Sequence, residues 1–76
     1  MIGDDDIDRP EAVAEAAVLA DPLRESAHRR LMEVHLAQGN TASALRQYQR
    51  FSALLREELG IRPSRLIQDM ADRITG

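Results

Sequence analysis

Two histidines, ten arginines and one pair of adjacent glutamates carry most of the chemical capacity of this 76-residue chain. His28 and His35 stand seven residues apart, which on a helix is two turns along one face and roughly 10 Å between backbones. One metal ion could hardly take both rings, and no carboxylate sits at a sensible third-ligand spacing, so the pair reads as core or half-buried packing. Glu57 and Glu58 are sequence neighbours. On a helix neighbours point about 100° apart, which makes a poor general acid–base pair. Ser26, Ser43, Ser52 and Ser64 lack any nucleophile-elbow context, cysteine is missing, and no glycine-rich loop could cradle a phosphate. The sequence therefore predicts no catalytic, cofactor-binding or metal-binding residues. It does not read as an enzyme.

Nucleic-acid chemistry is the stronger rival. Ser43, Arg46, Gln47 and Arg50 share a helix face and are types that can read base edges, as in a helix-turn-helix domain. The charge balance opposes it. Thirteen acidic residues exceed ten basic ones, and four of them (Asp4, Asp5, Asp6, Asp8) fall in the first eight positions. That leaves ten basic against nine acidic residues over 9–76, a net charge of +1 with no electrostatic footprint for DNA. A purely structural oligomerisation module is the third possibility. No apolar run approaches the ~18 residues of a membrane span, and the N-terminus lacks the basic-then-apolar pattern of a signal peptide. With no cysteine to mark an oxidising compartment, the expected location is the cytoplasm, with no membrane partner. Every basic residue is Arg.

The elements that must position these residues are helices. Strand-forming residues are scarce and no period-two alternation occurs. Residues 1–8 are acidic and aperiodic and read as a disordered lead-in to a domain over 9–76. Helix one is expected to be capped by Asp8, with Pro10 in its first turn, and to end near Ala20. Val13, Ala14, Ala16, Ala17, Val18, Leu19 and Ala20 surround almost its whole circumference, so cover on more than one side is expected. Asp21 reads as the cap of helix two and Pro22 as its first residue, with an end near Gln38. Its apolar arc holds Leu23, Ala27, His28, Leu31, Met32, Val34, His35 and Leu36. Gly39 suits a left-handed C-terminal position, and Asn40 or Thr41 caps helix three, which reaches Leu59. The stripe of helix three is Thr41, Ala44, Leu45, Tyr48, Phe51, Ser52, Leu55 and Leu59. Gly60 closes it. Ser64 caps helix four, whose buried face is Leu66, Ile67, Met70, Ala71 and Ile74.

Helix two, the Gly39-Asn40 turn and helix three together resemble one tetratricopeptide (TPR) unit. Ala44 and Tyr48 match the small and aromatic residues of that repeat's second helix, and Leu31 the leucine of its first. Ala17 to Pro22 resembles a repeat's ending, so helix one looks like the second helix of a preceding unit. His28 and His35 stand where the repeat has Trp and Tyr, Met32 where it has Gly, and Phe51 where it has Ala. A more specific likeness lies in four runs: Asp21-Pro22-Leu23-Arg24-Glu25, Leu31-Met32, Ala44-Leu45-Arg46-Gln47-Tyr48 and Leu55-Arg56-Glu57-Glu58-Leu59-Gly60-Ile61-Arg62-Pro63-Ser64. They resemble the bacterial transcriptional activator domain of antibiotic-regulatory (SARP-type) transcription factors of actinobacteria, over about residues 9–75.

The resemblance implies an all-α fold of about four helices, arranged as TPR-like antiparallel hairpins of an α–α superhelix. It further implies a regulatory protein–protein interaction module that contacts RNA polymerase or other domains of its own regulator. DNA would be reached only through an upstream winged-helix domain absent from this sequence, the chain being a fragment of a larger regulator. The residues add a candidate interaction surface. Val13, Ala16 and Leu19 lie on a flank of helix one with no partner in the chain, which invites a second copy. Arg46 and Arg50 on helix three complete it.

Overall fold

Proline and glycine divide the chain into its helices. The computed structural model describes residues 9–75, and over them the chain forms four helices and no strand: α1 (Pro10–Ala20), α2 (Glu25–Ala37), α3 (Thr41–Leu59) and α4 (Arg65–Thr75). Pro10 occupies the start of α1, where its missing N–H costs no hydrogen bond. Arg9 precedes it in extended conformation and accepts from the Val13 N–H at 3.1 Å. The expected acidic lead-in and the Asp8 cap lie outside the described residues.

The α1–α2 junction departs from expectation. Asp21 and Pro22 do not open the second helix, which begins at Glu25. Asp21 instead closes α1, donating its N–H to the Ala17 carbonyl at 3.2 Å, and its own carbonyl accepts from the Arg24 N–H at 3.1 Å. Pro22 thereby holds the second position of a four-residue turn, where its fixed φ is equally at home. The two later junctions follow their glycines. Gly39 has φ +77°, and the Asn40 and Gly39 N–H groups bond back to the His35 and Leu36 carbonyls at 2.8 and 3.0 Å. This paired pattern satisfies carbonyls that the end of α2 would otherwise leave bare. Gly60, with φ +66°, closes α3 with a single bond to the Arg56 carbonyl at 3.1 Å.

The start of α4 is secured from a distance. Glu25, in the first turn of α2, accepts the Ser64 N–H at 2.9 Å and also the Ser64 hydroxyl. The carboxylate so meets the positive end of the α4 dipole, which favours it. Ser64's carbonyl takes the first helical bond, from the Gln68 N–H, while the Gln68 amide reaches back to the Pro63 carbonyl at 2.7 Å.

Successive helices pack on one another as hairpins, α1 on α2, α2 on α3 and α3 on α4. The core joins Met32 of α2, Ala44, Phe51 and Leu55 of α3, and Ile67 of α4, with Tyr48, Met70 and Ile74 packed against it. Several stripe residues fall outside it. Leu23 and Leu36 of the α2 arc, Thr41 and Leu59 of the α3 stripe, and Leu66 of α4 are all exposed. They sit at helix ends, and α3, with 19 residues against 13 in α2, runs past the end of its hairpin partner. Cover of α1 on two sides is likewise not found. Ala14 is its one buried residue among those described, because its packing partner is α2.

Ala44 is fully buried where α2 and α3 close together. Ala44→Leu should therefore overpack the crossing and cost about 1–3 kcal/mol. Chemical denaturation of both proteins checks this, and an unchanged midpoint would mean that the helices do not close on Ala44.

Candidate functional site

The electrostatic core of the molecule is a neutral histidine. His28 on α2 is buried, and its ring stacks on Phe51 of α3 with centroids 4.4 Å apart and planes 29° from parallel. Both ring nitrogens are used. Nε2 lies 2.7 Å from the Pro22 carbonyl, which can only accept, so Nε2 carries the proton. Nδ1 lies 2.8 Å from Gln47 Nε2, and the neutral ring accepts there from the amide N–H.

Gln47 departs from its expected place. It was expected to face outward with Ser43, Arg46 and Arg50, yet it is only 6% exposed. The signal for it was present in two forms. Positions 44, 47, 51 and 55 are spaced three, four and four apart, which is core periodicity, and a buried histidine needs partners for both nitrogens.

Burial pushes the His28 pKa below its ordinary 6.5, and the hydrogen bond to Pro22 offsets this only in part. The cause is desolvation, which penalises the imidazolium. Since the folded value lies below the unfolded one, the fold favours the neutral ring. Its contribution is complete above about pH 6.5 and is lost as pH falls through the lowered value.

Beside this node a groove of about 590 Å³ runs between α1 and α3. Val18 and Leu19 line it from α1, Leu31 and His35 from α2, and Arg46, Arg50 and Leu54 from α3, with Glu15 on the α1 rim. The structure thus brings together three of the five candidate surface residues, Leu19, Arg46 and Arg50. Val13 and Ala16 are exposed on α1 but do not line the groove. Leu19 is 80% exposed, an unusual state for a leucine in a helix. Among the described residues ion pairs join Arg29 to Glu25 and Arg65 to Asp69, whereas Arg46 makes only a long contact to Ser43 and Arg50 is in no ion pair. His35 Nδ1, on the groove floor, is buried without a hydrogen-bond partner. No three of the described His, Asp or Glu residues cluster closely enough to hold a metal ion. Among the described residues no helix is long and apolar enough to cross a membrane.

A fall in pH should test the histidine node. The denaturation midpoint of the wild type should decline as pH falls below about 6.5, and His28→Phe should lose that part of the slope. Equal slopes in the two proteins would show that His28 is not buried neutral. Gln47→Leu should cost about 1–3 kcal/mol at pH 7, because it strands the ring's acceptor nitrogen.

The groove, the hairpins and the Gly60 closure now stand beside known proteins. No curated protein and no solved structure matches the chain. The model of one family, the bacterial transcriptional activator domain, matches residues 6–75. With nearly its whole length covered, the chain belongs to the bacterial transcriptional activator domain family and is a module of a transcription activator.

Proposed function

We propose that this module acts through protein contacts and has no catalysis of its own, serving a cytoplasmic regulator of the SARP type found in actinobacteria. Its partners are RNA polymerase or other domains of the same regulator, and DNA is contacted through a separate domain. The observation that carries this reading is the groove between α1 and α3, with an exposed leucine on one wall and, on the other, two arginines outside any ion pair among the described residues. The charge of residues 9–76, ten basic against nine acidic, supports a surface that meets protein rather than duplex DNA. Burial of Gln47 also counts against the helix-turn-helix reading, since it removes one of the four residues that would have read bases.

Fusing the chain to an unrelated bacterial DNA-binding domain and measuring a reporter beneath its operator tests the proposal. Reporter transcription should change with the module attached and return to baseline with Leu19→Asp. A silent fusion would overturn it. Affinity for random duplex DNA should stay weaker than micromolar even at about 50 mM salt. Tighter binding, lost in Arg46→Ala and Arg50→Ala, would favour the helix-turn-helix reading instead.

The exposed face of α1 favours a second contact, with another copy of the chain. Val13 is 55% exposed and Leu19 80%, and covering such area gains about 25 cal/mol per Å² before association entropy is subtracted. Sedimentation at about 100 μM should show dimer, reduced by Val13→Glu. A clean monomer would remove the self-association.

A further inference from the structure

We infer that the groove between α1 and α3 takes an amphipathic helix bearing carboxylates one turn apart on the flank that faces α3. This deepens the proposed function by naming the chemistry of the partner, and it rests on that reading.

Charge and shape set the occupant. The α3 wall extends from Ser43 to Leu54, about 17 Å of helix, which matches some three turns of a second helix laid alongside. Val18, Leu19, Leu31 and Leu54 supply apolar contact on both walls and the floor. An apolar stripe on the incoming helix would fill this space, as in other helix-in-groove complexes. Arg46 and Arg50 are separated by one turn of α3 and both reach the groove. Carboxylates spaced by one turn on the partner meet both guanidiniums at once, and each pair can form two parallel N–H···O bonds. Glu15 on the opposite rim repels an acidic residue on the other flank, which fixes the orientation of the guest. A pocket for a small carboxylic acid would enclose its ligand. This groove opens to solvent, and its charged lining residues, Glu15, Arg46 and Arg50, are exposed.

Fluorescence polarisation with the full chain tests the assignment. The probe is a labelled designed helix of about 18 residues, long enough to fold on contact, with a leucine stripe and two glutamates one turn apart on one flank. The glutamate peptide should bind about tenfold more tightly than its glutamine counterpart. Arg46→Glu with Arg50→Glu should abolish that preference, and a lysine version of the peptide should regain binding to this variant. Both arginines are exposed, so circular dichroism should show the fold unchanged. Equal binding of the glutamate and glutamine peptides would overturn the inference, as would no binding at about 1 mM. Displacement of the peptide by decanoate at low concentration would assign the groove to a small acid instead. The reporter fusion separates the two levels. Transcriptional output that persists without peptide binding removes this occupant and leaves the module's role standing, whereas peptide binding by a silent fusion does the reverse.

Discussion

The ring of Phe51 sits where three helices meet and where the core touches the buried histidine. A chain of 76 residues buries only about 60% of the surface its unfolded form exposes, so each large buried group matters. Here there is one Phe, one Tyr and no Trp. Phe51 projects from α3 into the cluster that includes Met32 of α2 and Ile67 of α4, and its face lies on the His28 ring. One side chain thereby joins three helices. The fourth is reached through the histidine, which donates to the Pro22 carbonyl in the α1–α2 turn. Stacking fixes the plane of the imidazole, and the plane decides which carbonyl its N–H can meet. The turn from α1 into α2 is thereby tied to a ring on α3, beside the direct packing of α1 on α2.

That chain of dependence explains why a groove exists. α1 packs on α2 and contributes Ala14 to the buried set, so little apolar area holds it in place. Its neighbour across the groove, α3, is kept apart by the width of α2, whose Leu31 and His35 form the floor. A larger residue at Ala14 would push α1 outward, and loss of the Pro22 contact would free the turn that sets its angle. The walls of the candidate site are therefore held unequally: α3 is locked in the core at several points, and α1 hangs on one flank.

Much of the fold was legible in the residues, and the failures have a common cause. Gly39 and Gly60 end helices because a left-handed position can be read from local chemistry, and Ala44 reads as a close crossing because it and Tyr48, four residues on, resemble the small and aromatic positions of a TPR second helix. Asp21-Pro22 misled because the same two residues can cap a helix or make a turn, and the choice is settled by His28, six residues on from Pro22. Gln47 misled because a polar side chain is placed outward by default until the histidine's second nitrogen demands a partner. The link from Glu25 to Ser64 spans 39 residues and left no local trace. Leu19, Arg46 and Arg50 were identifiable by type. That they share one groove, and that Val13 and Ala16 do not, depends on how α1 and α3 lie over α2, which no spacing in the sequence encodes.

The buried polar pair invites a last step of argument. Replacing His28 and Gln47 by apolar residues of similar volume could be neutral or even stabilising, since their mutual hydrogen bond is worth only about 1 kcal/mol net. An apolar pair, however, would add nothing directional to the packing of Ala44, Phe51 and Leu55 that already seats α3, and would tolerate a small rotation about its axis. A single N–H aimed at a single ring nitrogen does not, because one residue of rotation, about 100°, would carry Gln47 away from the ring. Arg46 immediately precedes Gln47, and Arg50 follows it by three. The rotation that satisfies His28 is therefore the one that brings both guanidiniums to the groove rim. In this reading the core hydrogen bond acts less as a source of stability than as a rotational lock.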